Sequence, residues 1–194
     1  MPLRLARGPP RPAPAGPAVR LRWVTVPLFS RRHALPDDVR RALDLPAGDR
    51  VLAAAASGDR WLVATRLALY VAGGGAPVRR HLWSDVDRAS FAPEPAAITV
   101  HWVTGSVEEL PLDPPVPVAF AQTLRERVQS SVVHVETVAV PGAGPVRVAL
   151  RRGEAGELFT QVIGTGRVDL TDPGVAALLD AAEARVRAAA GLRA

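Results

Sequence analysis

The sequence predicts an α+β fold in which about seven short strands lead into one helix, followed by a smaller group of strands and a second helix. Two changes of pattern along the chain support this prediction. β-rich runs separated by turn residues fill residues 48–112, and the apolar spacing then becomes that of an amphipathic helix over residues 116–130. After this helix, residues 132–194 repeat the order of strands before helix on a smaller scale.

The chain that precedes this body has a different composition. Residues 1–20 are rich in Pro and Arg without any period, which predicts an extended, disordered tail. Residues 21–47 form an N-terminal segment whose apolar run, at residues 21–28, is suited to pairing at a sheet edge. This segment also contains a predicted short helix over about residues 36–44, because a Pro followed by two Asp is typical of a helix start.

The positive charge is concentrated in the N-terminal arm. Residues 1–41 contain nine Arg and two Asp, a net charge of +7, whereas residues 42–194 contain fifteen Arg and seventeen acidic residues, a net charge of −2. A nucleic-acid-binding body is expected to show a basic stripe, and residues 42–194 show none. The arm alone is suited to weak electrostatic contact with anionic membrane or nucleic acid.

Composition also limits compartment and chemistry. The chain has no Cys, which excludes disulfides and thiolate metal sites and suits the cytoplasm. No secretory signal and no apolar run of transmembrane length is visible. The chain also lacks Lys and Asn, whose codons are A-rich, which is typical of a GC-rich bacterial genome. We therefore expect much of the Arg content to reflect mutational bias and to indicate function less strongly than usual.

Turn residues divide residues 48–112 into strands. SGD at residues 57–59 and the triple glycine at residues 73–75 separate the first strands, and two prolines end a later one. The run RWLVATRLALYV is β-rich but too continuously apolar to alternate, whereas AAITVHWV at residues 96–103 alternates well. The predicted core residues of this region and the following helix are Trp61, Trp83, Val86, Trp102 and Leu124.

The order of these segments resembles that of the bacterial pleckstrin-homology-like (PH-like) domain proteins. The resemblance rests on GDRVLAAAASGDRWLVATRLALYV, VRRHLWSDVDRASF and ITVHWVTGSVEELPL, followed by the helix, and it covers residues 48–131. It implies a PH-like seven-stranded barrel capped by a C-terminal helix, but it implies no reaction, since fold does not determine function. The loop SGDR lacks the basic cluster of the phosphoinositide-binding members, so specific phosphoinositide binding is not expected.

Residues 132–194 lie outside the resemblance and are predicted to form a ββ-β-α extension packed on the barrel. SVVHVETVAV and PVRVALRR have the pattern of a hairpin, and ELFTQVIG that of a third strand. Asp172 and Pro173 are suited to the N-cap and first turn of a final amphipathic helix. A sheet of three strands with one helix buries only a small core, so we expect the extension to pack against the barrel.

The strand PVRVALRR contains the candidate interaction residues. Its apolar residues alternate with Arg147, Ala149 and Arg151, which predicts one buried face and one face in solvent. Together with Arg152, the two arginines form a modest basic patch. The patch is interpreted either as an ordinary solvated sheet face or as a contact for an acidic partner or nucleic acid.

The stretch HLWSDVDRASF, residues 81–91, concentrates catalytic residue types and raises the question of an active site. His81, Ser84 and Asp85 are too close in sequence to form a triad, whose members normally come from separate segments. A calcium loop starting at Asp85 would lack the glycine and the final Glu that such a loop needs. We therefore interpret the stretch as a corner between strands, in which Ser84 or Asp85 bonds local backbone.

Other motifs give no positive sign of a cofactor or a metal. The four His residues lack the spacing of a zinc site, and the glycines of GAGP and IGTGRVD do not match a phosphate-binding loop. The adjacent pair Glu108 and Glu109 points to opposite faces of a strand, so these carboxylates cannot flank one scissile bond. No catalytic, cofactor-binding or metal-binding residue is predicted with a defined role.

Three hypotheses of function follow. The first is a non-enzymatic binding module that works through protein–protein contacts, because none of the catalytic motifs considered is present. The second is peripheral association with anionic membrane or nucleic acid through the N-terminal arm. The third is an enzyme whose site is assembled from distant segments, with Asp85, His101 and His134 as its only candidate residues. A pocket with convergent polar groups would favour a small ligand, and an exposed apolar patch would favour a protein partner.

Overall fold

Three antiparallel sheets and three helices make up the part of the chain that the computed structural model describes, residues 34–164 and 168–192. Helix α1 (Asp37–Ala42) precedes the sheets, at the place where a short helix is predicted. The predicted edge segment at residues 21–28 and most of the basic arm lie outside the described residues. No helix within the described ranges is both long and apolar enough to cross a membrane.

The first sheet contains four strands in chain order. They are β1 (Val51–Ser57), β2 (Arg60–Thr65), β3 (Ala68–Gly73) and β4 (Ala76–Leu82). The tight turn from β3 to β4 requires glycine, because a Cβ at Gly73 would lie 2.8 Å from the Asp59 carbonyl oxygen. A 3-10 turn, Trp83–Asp85, follows β4.

The second sheet also follows chain order, and a helix completes this part of the protein. Its strands are β5 (Val86–Pro93), β6 (Ala96–Trp102) and β7 (Val107–Pro111). Helix α2 (Val118–Ser131) then contacts β1 and β2 of the first sheet and β5 of the second. The seven strands and the helix therefore occur in the order that the sequence predicts.

The predicted seven-stranded PH-like barrel is nevertheless wrong. Among the described residues, β4 and β5 are not paired, and the strands form two separate sheets of four and three strands instead of one closed sheet. The 3-10 turn ends the first sheet and redirects the chain before β5 begins. Sequence patterns locate strands and turns, but they do not show which strand edges pair, and closure depends on that pairing.

One apolar core joins both sheets to α2. It contains Leu62 and Leu69 from the first sheet, Val100 from the second, and Phe120 from the helix, all at most 1% exposed. A second cluster covers the opposite face of the first sheet. In it, Leu35 and Leu43 of the α1 segment (residues 35–43) pack with Val63 and Tyr70. Because both faces of β2 and β3 are buried, their sequence is continuously apolar and does not alternate.

The extension has its own sheet and core. Its strands are β8 (Val132–Val140), β9 (Gly144–Arg152) and β10 (Leu158–Gly164), with β9 in the centre, and helix α3 (Pro173–Ala189) packs on β8 and β9. Asp172 caps α3 by accepting hydrogen bonds from the backbone of Gly174 at 2.7 Å and Val175 at 3.3 Å. Strands and helix occupy the residues at which the sequence predicts them.

The corner between β4 and β5 generates a prediction about stability. Trp83→Ala should lower the free energy of unfolding by about 3–5 kcal/mol, because it empties part of the core and leaves the Thr65 carbonyl without its indole donor. Asp85→Ala should cost only about 0.5–2 kcal/mol, as the loss of one capping bond to Leu82. Urea unfolding of both variants measures these values, and a larger loss for Asp85→Ala would revive a functional interpretation of the corner.

Candidate functional site

The corner at Trp83–Val86 uses its polar groups for structure. The Asp85 carboxylate accepts a hydrogen bond from the Leu82 N–H at 2.9 Å, and the Asp85 carbonyl accepts one from the Val103 N–H at 3.0 Å. The Trp83 indole N–H donates to the Thr65 carbonyl at 3.2 Å. The Asp85 side chain is thus a turn residue that holds the 3-10 turn in place, as the corner interpretation expects.

His81 packs in this corner and does not contact a nucleophile. Its ring lies 4.3 Å from the Trp102 ring, centroid to centroid, at an interplanar angle of 33°. Burial, reinforced by the charge of Arg79, lowers the pKa of His81, while Glu108 and Asp85 oppose this shift weakly. Its Nε2 is buried and has no partner among the described residues. The side chain therefore contributes packing as a neutral ring at neutral pH.

Arg151 is the clearest departure from the sequence prediction. The solvent-exposed strand face expected for it is wrong, since Arg151 is only 1% exposed. One of its terminal nitrogens, NH2, donates to the Trp83 carbonyl at 3.1 Å, the Val86 carbonyl at 2.6 Å and the Ser131 hydroxyl at 2.7 Å. Burial lowers the pKa of Arg151, and the charge of Asp87 acts in the opposite direction. The residue thus joins the extension to the corner and to the end of α2.

The other two candidate interaction residues have different surroundings. Arg147 forms an ion pair with Asp87, whose side chain is only 6% exposed and also accepts from Arg88 at 3.3 Å. Arg152 is exposed. Because Arg151 is buried and Arg147 is engaged by Asp87, the three arginines do not form one free basic surface.

Substitution of Arg151 tests whether its buried guanidinium stabilises the contact of the extension with the corner and with the end of α2. Arg151→Met should lower the free energy of unfolding by about 2–4 kcal/mol, because the Trp83 and Val86 carbonyls lose their donor in a buried place. Arg151→Lys should cost less, since an ammonium group keeps three donors near the same acceptors. Urea unfolding measures both, with the exposed neighbour variant Arg152→Met as the matched control. Equal stability of Arg151→Met and Arg152→Met would contradict a structural role for the buried guanidinium.

The three residues of the enzyme hypothesis make separate contacts in the described part of the chain. Asp85 bonds the Leu82 backbone, the Nδ1 of His101 lies 3.2 Å from Arg88, and His134 is exposed on β8. Among the described residues, the cavities of about 240, 220, 460 and 270 Å³ each have at most one of them in the lining. His101 lines one of about 220 Å³ with Asp87 and Arg147. No group of three His, Asp or Glu residues suited to a metal ion occurs in the described ranges.

The residues predicted to form the core lie in two apolar clusters. Trp83, Val86, Trp102 and Leu124 belong to the core that joins the two sheets and α2, each at most 9% exposed. Trp61 is half-buried and packs against the cluster on the other face of the first sheet.

A groove lies between β5 and α2 and is the first candidate binding surface. Two adjoining cavities of about 460 and 270 Å³ share Ala89 and Arg125 in their linings. Five consecutive residues of β5, from Asp87 to Phe91, line them. Successive side chains of a strand point to opposite faces, so a lining of consecutive residues places the groove along the backbone edge of β5. We call this surface the β5–α2 groove.

The helix side of this groove is one face of α2. Its lining residues recur at the three- and four-residue spacing of a helix face and are Ala121, Gln122, Leu124, Arg125, Val128 and Gln129. Leu124 and Val128 form an apolar floor, and the Phe91 side chain is 41% exposed on the strand side. β5 pairs only with β6 among the described residues, so its groove edge has no strand partner there.

The second candidate binding surface is a cavity of about 240 Å³ at the opposite side of α2, with a mixed polar and apolar lining. Four separate chain segments line it: the β2–β3 turn, the corner after β4, the last turns of α2 and the β9–β10 turn. Its charged lining residues are Arg66, Arg127, Arg152 and Glu154. We call it the arginine cavity.

Comparison with known proteins identified no relative of this chain. No protein-family model matches the chain, and no match was found among curated proteins or among solved structures.

Sequence reasoning missed both surfaces. The groove depends on the placement of α2 beside the edge of β5, and no pattern in the sequence specifies that contact. The arginine cavity combines residues separated by up to about ninety positions along the chain. The exposed apolar Phe91 within a strand was an available signal for the groove, but isolated apolar residues are common on protein surfaces.

Proposed function

We propose that the protein is a non-enzymatic binding module that accepts an extended peptide segment of a partner protein in the β5–α2 groove. The observation that carries this proposal is the open backbone edge of β5 facing an apolar-floored groove. A strand edge offers a row of unpaired N–H and C=O groups, and peptides bind such edges by strand addition. The proposed compartment is the cytoplasm, which suits a chain without Cys.

The dimensions and charge of the groove define the peptide. The groove follows five residues of β5, a length of roughly 15 Å at the usual rise of a strand, which suits a peptide of about five residues. Arg88 and Arg125 are exposed at the groove, and Asp87 forms ion pairs with both Arg88 and Arg147. Because the arginines outnumber this carboxylate, the net charge there is positive, and the partner segment should combine acidic residues with apolar residues that reach Leu124, Val128 and Phe91.

Selection from a random peptide library tests this proposal on the full chain. Peptides enriched on the protein should be extended, acidic and partly apolar, and their binding should slow amide hydrogen exchange in β5. The double variant Arg88→Glu/Arg125→Glu should weaken binding of the selected peptides by at least about tenfold, because it reverses the charge of the groove.

A matched control distinguishes the effect of the groove residues on peptide binding from the effect of net charge. The double variant Arg40→Glu/Arg152→Glu changes net charge by the same amount at two exposed residues away from the groove, and it should leave peptide binding unchanged. Equal losses in both double variants, or unchanged exchange in β5, would overturn the proposed site.

A further inference from the structure

The arginine cavity brings together positive charges that the protein fold does not balance. Arg66, Arg127 and Arg152 line it from three different segments, and none forms an ion pair among the described residues. The one acidic lining residue, Glu154, is already paired with Arg80 of β4. Like charges around one cavity repel each other, so an anion bound between them would stabilise this arrangement.

Arg127 adds an unsatisfied donor to this arrangement. Its Nε is buried and has no hydrogen-bond partner within the described part of the chain. A buried donor without a partner costs free energy, so Nε would gain from an acceptor. Because this atom is buried, a ligand oxygen in the arginine cavity would reach it only after a small movement of the Arg127 side chain.

The arginines do not serve as hydrogen-bonding caps for α2. The Ser130 hydroxyl donates to the Arg127 carbonyl at 2.9 Å, the Ser131 hydroxyl donates to the Val128 carbonyl at 2.7 Å, and the Val132 N–H donates to the Gln129 carbonyl. These last-turn carbonyls are therefore satisfied without any guanidinium. The negative end of the helix opposes an anion in the cavity, but its partial charge of about half an electron is smaller than the three full positive charges around it.

We propose that the arginine cavity binds the phosphate group of a small phosphorylated molecule. A guanidinium matches the oxygens of a phosphate with two parallel hydrogen bonds, and several arginines together favour a dianion over a monoanionic carboxylate. The cavity volume of about 240 Å³ limits the occupant to the phosphate and a small neighbouring group. This site is separate from the β5–α2 groove, and the proposal does not rest on the peptide-binding function.

Titration of the full chain with inorganic phosphate tests this site. Calorimetry and thermal unfolding at constant ionic strength, with chloride as the reference anion, should show saturable binding and a concentration-dependent rise in Tm. The double variant Arg127→Gln/Arg152→Gln should bind phosphate at least about a hundredfold more weakly, because it removes two of the three guanidinium groups that line the cavity. Circular dichroism confirms that the variant folds.

A charge-matched variant controls for the basic N-terminal arm. Arg50→Gln/Arg60→Gln removes the same charge at two exposed positions outside the cavity and keeps the arm, so its phosphate affinity should equal that of the parent. In a ¹H–¹⁵N spectrum the Nε–H signal of Arg127 should shift as phosphate is added, which a merely structural arginine would not show. Equal weakening in both double variants, or an unmoved Arg127 signal, would overturn the proposal.

Two further measurements distinguish a small soluble phosphorylated molecule from a lipid headgroup. Glycerol phosphate should bind at least as tightly as inorganic phosphate and should be lost in Arg127→Gln/Arg152→Gln. Vesicles containing a phosphoinositide should bind the parent and this variant equally, through the arm, if the ligand is a small soluble molecule. Selective loss of vesicle binding in the variant would replace the small-molecule assignment with a lipid headgroup.

Discussion

The buried guanidinium of Arg151 is the constraint on which the arrangement of this protein depends. A positive charge that is only 1% exposed has lost its hydration, and the fold must replace that hydration with fixed acceptors. The acceptors come from the 3-10 corner, the start of β5 and the end of α2, while the arginine itself belongs to the central strand of the extension. The extension therefore has one favourable position against the rest of the chain, and the ion pairs Arg147–Asp87 and Arg80–Glu154 lie at the same junction.

Helix α2 separates the two proposed binding surfaces. Arg125 lines the β5–α2 groove, and Arg127, two residues later, lines the arginine cavity. Two residues correspond to roughly 200° around a helix, so these side chains leave α2 on nearly opposite sides. Between them, Leu124 and Val128 hold the helix on the common core. A single helix thus lines the β5–α2 groove on one side and the arginine cavity on the other, so each surface can be changed without the other.

The sequence indicated the local structure well because that structure depends on local signals. Turn glycines, the change of period before α2 and the Asp172–Pro173 cap each act within a few residues, and the corresponding elements lie where they were predicted. Closure of the seven strands into a barrel was not determined locally, since it requires a pairing between β4 and β5 that the Trp83–Asp85 turn interrupts. The strand pattern wrongly predicted an exposed Arg151, because alternation distinguishes the two faces of a strand but does not show what covers each face. The groove and the cavity arise from packing between distant segments, and no local signal encodes either.

The cover that the α1 segment provides for the first sheet also determines where a fragment that keeps this core must begin. The resemblance to PH-like proteins begins at residue 48, but Leu35 and Leu43 lie before that point and are at most 9% exposed against Val63, Tyr70 and their neighbours. A fragment cut at residue 48 would leave the outer face of β2 and β3 as an apolar surface in water, which favours aggregation. A fragment that keeps this core therefore starts no later than residue 34, and the segment that carries the short helix is part of the core and not a linker.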